Sequence, residues 1–429
     1  MSASAKAIGD ISTRRPLILR MRFQLAGGLC FAIALPGIVR LIPQPEILYT
    51  ENFQRTIVMA AVAHVLGFFT YRRLGSFPGV ASAGMIFPTF AMTYGLVVAL
   101  ILLFRIDYGR FQILSSFLLS MSWYFVLQHI ADNRYGIYRL AIIPLGAVDA
   151  LTDIQGVTWL STPSPDRILG NVDGIVADLR YPFSDDWERF IADCALSGIP
   201  VYHVKQIRES LTGRVEIEHL SENTLGSLNP NQAYVKLKQV IDWLVALAVL
   251  IVLLPLFIVI AALVRLDSRG PMLFTQPRIG YRGSTFTIYK FRTMHVSANS
   301  LDDRERAMTK DGDSRITRIG GFLRKSRLDE LPQILNILKG EMSWIGPRPE
   351  AVALSRWYEA ELPFYAYRHI VRPGITGWAQ VNQGHVTDVN DVLGKLHYDF
   401  YYIKNFSPWL DTTTFVKTVS VILTGSGAR

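Results

Sequence analysis

Four long apolar stretches in the N-terminal third constrain the fold of this chain more than any other feature. They cover residues 23–42, 56–71, 82–104 and 111–130. Each is near the length of about 20 residues that an α-helix needs to cross the hydrocarbon core of a bilayer. They therefore predict an α-helical bundle of four transmembrane helices within residues 1–135. The second stretch contains His64, which we expect to be packed between helices rather than functional.

Basic residues beside these stretches predict how the bundle is oriented. Arginines precede the first stretch and follow the second, at positions Arg14, Arg15, Arg20, Arg22, Arg72 and Arg73. Cytoplasmic loops carry an excess of Lys and Arg, so we expect the N-terminus and the end of the fourth helix in the cytoplasm. No cleavable signal peptide is expected, since no small-residue cleavage pattern ends the first apolar run.

Composition agrees with a membrane protein and excludes other classes. Of the 429 residues, 50% are hydrophobic, and the mean hydropathy is +0.24. Cys30 and Cys194 alone cannot form a disulfide framework or a cysteine metal site. The net charge of +9 is concentrated between residues 265 and 350, and it suits nucleotide phosphates and anionic lipid headgroups. No nucleic-acid partner is expected, because the chain has no zinc-finger spacing, recognition-helix pattern or RNP-type motif.

Residues 136–230 have the alternating pattern of a small α/β insert. The runs 140–145, 174–179 and 199–204 are typical of strands, and 185–197 is typical of a helix. This alternation predicts a Rossmann-like domain. The turn after the first strand contains Gly146 but lacks the spaced glycines that let a backbone approach a pyrophosphate. We therefore expect a structural or regulatory role for the insert, such as a homodimer contact, rather than nucleotide binding.

A fifth apolar run, residues 243–264, is long enough to cross the bilayer but contains Pro255 in its middle. An ordinary transmembrane helix is one interpretation, and length alone favours it. However, proline kinks or breaks a helix, and a full crossing would put the insert and the following basic domain on opposite sides of the membrane. A re-entrant helix that turns back at Pro255 is the alternative that we favour.

Two adjacent carboxylates, Asp329 and Glu330, stand between a basic run at 324–327 and a rigid turn at 346–349. Neighbouring helical residues point about 100° apart, so the pair is expected to serve two different tasks rather than share one proton. One carboxylate can attack phosphorus while the other holds a divalent cation. The alternative for such a pair is an exposed, charged helix start.

The motifs around this pair resemble those of the bacterial sugar transferases, the monotopic polyprenyl-phosphate phosphoglycosyl transferases that start O-antigen, capsule and exopolysaccharide synthesis. The matching blocks, in chain order, are 278–280, 290–294, 316–325, 328–332, 340–349 and 372–381. The resemblance covers the chain from about Gln239 to its C-terminus. It implies an α-rich catalytic domain over residues 231–429, whose helix in the membrane is a re-entrant hairpin.

The resemblance also implies a reaction. A sugar 1-phosphate passes from a UDP-sugar to undecaprenyl (polyprenyl) phosphate, UMP is released, and a covalent phospho-sugar forms on Asp329. Glu330 is then the Mg²⁺ ligand. Arg324, Lys290 and Arg372 match basic positions of the family and are expected to contact phosphates. The remaining substrate-binding candidates are Arg278, Arg292, Pro347, Arg348, Pro349 and Asp399.

The expected setting is the cytoplasmic face of a bacterial inner membrane, with membrane lipids as partners of a multi-pass chain. The sugar stays open, because the motifs hold phosphates rather than sugar hydroxyls. One rival function is a processive UDP-sugar glycosyltransferase, with Asp311 and Asp313 as its metal site, and another is a non-enzymatic membrane scaffold. Aromatic residues after position 357 are interleaved with Arg356, Arg368 and Lys404, which favours helices in the headgroup layer.

Overall fold

The computed structural model describes residues 17–74, 85–135, 138–154, 156–165, 172–217, 230–295, 315–362, 364–383 and 389–424. The chain divides into two compact units, Met1–Gly213 and Arg214–Arg429. The first contains the predicted bundle and most of the predicted insert, and the second contains the acid pair and every motif around it.

The first unit begins with four long helices, as the apolar stretches predict. They are α1 (Met21–Leu41), α2 (Glu51–Leu74), α3 (Ile86–Leu103) and α4 (Arg110–Tyr135). Each is long and apolar enough to cross a membrane. His64 of α2 is fully buried, and its Nδ1 lies 2.8 Å from the Ser120 hydroxyl of α4, so it is packed as expected. Such a shared hydrogen bond satisfies polar groups that lipid cannot.

A parallel four-stranded sheet follows. Its strands are β1 (Tyr138–Ile142), β2 (Val157–Ser161), β3 (Gly174–Ala177) and β4 (Val201–His203), in the order β2-β1-β3-β4, with helices α5 (Asp185–Leu196) and α6 (Val204–Thr212). Three of the four strands and the first helix were predicted. Side chains alternate along β1, so Ala141 packs beneath α5 and Leu140 beneath α6.

The turn after β1 is closed by the protein itself. Gly146 has φ +81°, and a Cβ there would lie 2.7 Å from Asp178. The Asp178 carboxylate accepts a hydrogen bond of 3.0 Å from the Ala147 amide. In a dinucleotide-binding turn, backbone amides of this kind face the phosphates. Here the anionic partner is Asp178.

The second unit begins with α7 (Gln232–Asp267), a helix of 36 residues. It remains helical across Pro255, so the helix is not broken at the proline. By length and composition it is a fifth candidate membrane span. Near its start, the Ser343 hydroxyl donates to Asp242 at 2.6 Å, and at its end Asp267 accepts from the Ile319 amide at 3.1 Å. Both ends of α7 therefore contact the same compact unit.

The remaining elements of the second unit carry the motifs. They are β5 (Leu273–Ile279), β6 (Thr285–Phe291), α8 (Arg318–Lys325), a 3₁₀ segment (Leu328–Gln333), α9 (Ile334–Leu338), β7 (Ser343–Ile345), α10 (Val352–Glu361), a second 3₁₀ segment (Tyr365–Ile370), β8 (Gly374–Thr376), α11 (Trp378–Gln383), α12 (Val389–Lys404) and α13 (Pro408–Thr424). β5 and β6 form an antiparallel hairpin, and β7 pairs with β8 in parallel. Phe257 of α7 contacts two apolar clusters, one around Ile288 and Ile334 and one around Phe291 and Leu323.

The pairing of β7 with β8 depends on glycine. A Cβ on Gly374 would lie 2.1 Å from the Gly346 amide nitrogen, and one on Gly346 would lie 2.3 Å from the Arg372 carbonyl oxygen. Only residues without side chains allow this approach. It places the segment after Gly346 directly beside the segment before Gly374.

The aromatic residues after position 357 correct one expectation. Tyr358, Tyr365, Phe400 and Tyr402 are buried in the protein core, and so is Arg368, which is 3% exposed. Their interleaved charges indicated a headgroup-layer surface, but the buried charges form ion pairs inside the fold. Sequence alternation alone cannot distinguish these two environments.

Candidate active site

The acid pair lies in the 3₁₀ segment Leu328–Gln333, directly after α8. Asp329 and Glu330 are 8% and 6% exposed, so the pair is not a solvated helix start. The residue before the segment is Arg327, whose φ of +61° is uncommon for a residue with a side chain. Such a conformation persists only where its surroundings enforce it, and it often occurs at functional sites.

Glu330 is surrounded by three cations that come from different parts of the chain. Its Oε1 accepts from Lys290 Nζ at 2.9 Å and from Arg348 Nη2 at 2.7 Å, and Arg327 Nη1 lies 3.7 Å away. Burial by itself would raise the pKa of Glu330, but Arg348 and Lys290 outweigh it and lower the pKa. Glu330 is therefore held as an anion.

Asp329 has the opposite environment. Its Oδ1 is buried and has no hydrogen-bond partner among the residues that the structure describes. Burial, and then the neighbouring Glu330 charge, raise the pKa of Asp329, although Lys290, Arg348 and Arg324 oppose this. An oxygen without a donor is available to bind an electrophile or a cation.

The basic residues nearest the pair come from β6, α8 and the 346–349 turn. Lys290 is on β6, and burial lowers its pKa. Arg324, on α8, donates through Nε to the Thr293 hydroxyl at 2.9 Å and adds positive charge near Asp329. Arg348 is fixed between Pro347 and Pro349, and the Glu330 charge raises its pKa. These residues were predicted at the site, and the structure brings them together.

Other predicted residues lie away from the acid pair or face other protein groups. Arg292 donates to the Ser268 and Arg269 carbonyls at the end of α7. Arg372 donates to the Gly340 carbonyl and lines a separate small pocket, together with Lys238 and Tyr281. Burial raises the pKa of Asp399, which is ion-paired with Arg368 at 2.8 Å.

Sequence reasoning did not select Arg368, Glu350 or Lys395 next to this site, although it did select Arg278. Arg368 donates to the Arg348 carbonyl at 2.9 Å, and Arg278 donates to the Pro349 carbonyl at 2.9 Å. Glu350 pairs with Lys395 and lies 3.9 Å from Arg278. Burial would raise the pKa of Glu350, but Lys395, Arg368 and Arg278 lower it. The one available signal was the position of Glu350 directly after the 346–349 turn.

The acid pair fits Mg²⁺ only in part by itself. No group of three or more His, Cys, Asp or Glu side chains suited to a metal occurs within the described ranges. Mg²⁺ is usually bound by one or two carboxylates together with water and substrate phosphates. The unpartnered Asp329 Oδ1 and the adjacent Glu330 carboxylate match that smaller donor set.

Sequence comparisons identify the family. The profile described as bacterial sugar transferase matches residues 233–425, which contain the whole site. A UDP-N-acetylgalactosamine-undecaprenyl-phosphate N-acetylgalactosaminephosphotransferase of Aeromonas hydrophila is 44% identical over 376 residues, covering 87% of this chain and 88% of that protein.

Two further relatives match smaller parts of the chain. A UDP-glucose:undecaprenyl-phosphate glucose-1-phosphate transferase of Xanthomonas campestris pv. campestris is 37% identical over 68% of this chain and 58% of that protein. One with the same description from Escherichia coli (strain K12) is 40% identical over 43% of this chain and 39% of that protein. These similarities and the buried acid pair lead to one conclusion: the chain belongs to the bacterial sugar transferase family.

Proposed function

We propose that the chain transfers a sugar 1-phosphate from a UDP-sugar to undecaprenyl phosphate and releases UMP. The observation that carries this proposal is the buried acid pair, in which Glu330 is neutralised by cations while Asp329 keeps an oxygen without a donor. The relatives are named for reactions between a UDP-sugar and undecaprenyl phosphate, which supports the same substrate classes here.

In the proposed first step, an Asp329 carboxylate oxygen attacks the phosphorus that bears the sugar. The new O–P bond forms as the bond to the bridging diphosphate oxygen breaks, and that oxygen leaves with UMP. In the second step, an oxygen of the lipid phosphate attacks the same phosphorus and the Asp329 carboxylate is released. Lys290, Arg324 and Arg348 neutralise the phosphate charge, because guanidinium and ammonium groups bind phosphate oxygens strongly.

Glu330 would hold Mg²⁺ together with oxygens of the substrate phosphates. When bound, it would neutralise charge on the diphosphate. Glu330 Oε1 already accepts two cationic hydrogen bonds, so its other oxygen is the one left for the metal.

The sugar is proposed only as a class. The relatives are named for N-acetylgalactosamine and for glucose, so both belong in any test. Purified enzyme should be assayed with undecaprenyl phosphate and a panel of donors: UDP-N-acetylgalactosamine, UDP-glucose, UDP-galactose and UDP-amino sugars.

Product analysis distinguishes the proposed function from its rivals. The proposal predicts a lipid-diphosphate-linked single sugar and one UMP for each product. A processive glycosyltransferase would release UDP and make a chain, and a scaffold would make nothing. The Asp311 and Asp313 site of the first rival lies outside the described residues. Release of UDP, or no product with any donor of the panel, would contradict the proposal.

We also propose that α7 is re-entrant at the cytoplasmic face of the inner membrane. Its two ends contact one compact unit, through Asp242 and Asp267, and Phe257 between them packs on the same unit. Residues on the other side of the helix are apolar and exposed, including Leu244, Val252, Ile258 and Leu266. A helix that packs along its own domain on one side and offers apolar residues on the other suits shallow insertion better than a crossing.

Cysteine labelling tests this topology. Single cysteines at Lys236 and at the exposed Lys325 are placed in a chain whose native Cys30 and Cys194 are replaced by Ala. Both should resist a membrane-impermeant thiol reagent in whole cells and react after permeabilisation. Pro255→Ala restores an amide hydrogen and should straighten α7 and lower activity. Labelling at 325 from outside in the chain that keeps Pro255 would contradict re-entry.

A further inference from the structure

Two guanidinium groups donate hydrogen bonds to the backbone of the Arg348–Pro349 segment. Arg368 Nη2 donates to the Arg348 carbonyl oxygen at 2.9 Å, and Arg278 Nη1 donates to the Pro349 carbonyl oxygen at 2.9 Å. Consecutive carbonyl groups on the segment that carries Arg348 are therefore fixed by side chains distant in sequence. The Arg348 side chain itself points to Glu330, at 2.7 Å.

Arg368 is almost entirely committed to protein partners. Its Nε donates to Asp399 Oδ2 at 3.1 Å, its Nη2 lies 2.8 Å from the same oxygen, and its Nη1 donates to the Tyr365 hydroxyl at 2.6 Å. Arg368 is 3% exposed and Asp399 is 1% exposed. A substrate phosphate would have to displace these partners to reach either residue, so both act on protein groups in this fold.

Arg278 repeats the arrangement with Glu350. Its Nη2 donates to Gln276 at 2.7 Å, and Glu350 lies 3.9 Å from its Nη1. Lys395 of α12 also pairs with Glu350. Arg278 Nε has no partner among the described residues, so Arg278 is less fully committed than Arg368.

The backbone on both sides adds to this constraint. Pro347 has a fixed φ, and the residue before a proline is restricted to extended conformations, so Pro349 limits the ψ angle of Arg348. The guanidinium bond to the Arg348 carbonyl then selects one orientation of that peptide group. Together these contacts determine where the long Arg348 side chain begins.

We propose that Arg368 is a positioning residue: held by Asp399, it fixes the backbone of Arg348 and so aims the Arg348 guanidinium at Glu330 and the substrate diphosphate. Arg278, which donates to Gln276 and lies 3.9 Å from Glu350, assists at Pro349. Asp399 and Arg278 thus act through Arg348 rather than on substrate. This inference rests on the proposed phosphotransfer function. It extends that function by naming residues that act at a distance from the reacting atoms.

A double-mutant cycle tests the coupling. Arg368→Lys keeps the charge but cannot donate to Asp399, Tyr365 and the Arg348 carbonyl together, so kcat/KM should fall roughly 10- to 100-fold. For Arg348→Ala, kcat/KM should fall by at least as much. In the Arg348→Ala background, Arg368→Lys should then change kcat/KM by less than about 3-fold, since the group it positions is gone. The same fold decrease in both backgrounds would overturn the proposal.

Arg292→Lys is the matched control. Arg292 is also a buried arginine that donates to backbone carbonyls, but at Ser268 and Arg269, at the end of α7. Arg292→Lys should change kcat/KM by the same factor in the wild-type and the Arg348→Ala backgrounds, whatever that factor is. Asp399→Asn is the second variant if Arg368→Lys fails to fold. It keeps shape and removes the charge that holds Arg368, and it should show the same non-additivity.

Hydrogen exchange separates failure of this inference from failure of the proposed function. Amides in residues 345–350 should exchange faster in Arg368→Lys than in wild type or in Arg292→Lys. This measurement needs no turnover. If wild type makes no lipid-linked product, the proposed function fails, but the exchange data still test whether Arg368 fixes the Arg348 backbone. Unchanged exchange in residues 345–350 would overturn the positioning role.

Discussion

At the residue scale, Asp329 and Glu330 show how one short turn makes two different carboxylates. Both are buried, but Glu330 is ion-paired with Lys290, Arg327 and Arg348, whereas Asp329 Oδ1 has no described donor. Cations favour the anionic form and desolvation disfavours it, so the two pKa values move in opposite directions. The division of tasks expected from their adjacency therefore has a physical basis in what each one touches.

His369 gives a pH prediction at the same scale. Burial, and then the neighbouring Arg368 charge, lower the pKa of His369 to about 3. The unfolded chain binds a proton there below about pH 6.5 and the folded chain does not. The contribution of His369 to the unfolding free energy is therefore fully present above about pH 6.5. It decreases by up to about 1.4 kcal/mol per pH unit as pH falls towards 3.

His369→Gln removes that titration. The thermal midpoint of the variant in detergent should fall less between pH 8 and pH 5 than that of wild type. The difference between the two thermal midpoints at pH 8 gives the effect of the substitution that does not depend on protonation. Parallel pH curves for the two proteins would show that the His369 pKa is not lowered.

At the element scale, adjacent glycines in α8 have opposite roles. A Cβ on Gly320 would lie 2.1 Å from the Thr293 carbonyl oxygen. The helix α8 therefore packs directly against the backbone just after β6. A Cβ on Gly321 would meet only the Ile316 side chain, at 4.0 Å. The first glycine allows Arg324 to reach Thr293, while the second is tolerated without a packing requirement.

Alanine substitutions distinguish the two. Gly320→Ala should lower the unfolding free energy by about 1–3 kcal/mol through overpacking, and should lower activity because Thr293 accepts from Arg324. Gly321→Ala should raise the unfolding free energy by up to about 1 kcal/mol, since Ala is the better helix former. Thermal midpoints measured side by side check this. Equal midpoints would contradict the close approach of α8.

At the whole-molecule scale, every residue of the proposed chemistry lies in the second unit. Arg214 of that unit stacks on the Tyr398 ring at 4.7 Å, and the buried Val215 donates to the His397 carbonyl at 2.9 Å. The division into bundle (1–135), insert (136–230) and catalytic domain (231–429) stays a proposal. The contacts of Arg214 and Val215 place the start of the compact unit earlier.

Truncation tests this division. A chain starting at Ala233 keeps α7 and all motifs, so it should retain turnover in nanodiscs. A chain starting at Arg214 keeps the Tyr398 and His397 contacts in addition, and should melt at a higher temperature. Loss of turnover by a demonstrably folded truncated chain would assign chemistry to the first unit.

Sequence alone predicted those features that depend on local pattern. Apolar length predicted the four long apolar helices, and the resemblance of the motifs to a known family selected Lys290, Arg324, Arg348 and the acid pair. The pairing of Arg368 with Asp399 was not predictable, because ion pairs between distant residues leave no periodic signal. Strands of three residues, such as β7 and β8, are too short for alternation to be detected. The helix across Pro255 continues because tertiary contacts of α7 outweigh the local cost of proline.

The central claim is that Asp329 carries the phospho-sugar. Intact-mass measurement after exposure to the UDP-sugar donor, without lipid acceptor, tests it most directly. Wild type should gain the mass of one sugar phosphate, Glu330→Gln should gain it more slowly through weaker metal binding, and Asp329→Asn should gain nothing. An adduct on Asp329→Asn, or wild-type kinetics that require both substrates bound together, would contradict the account.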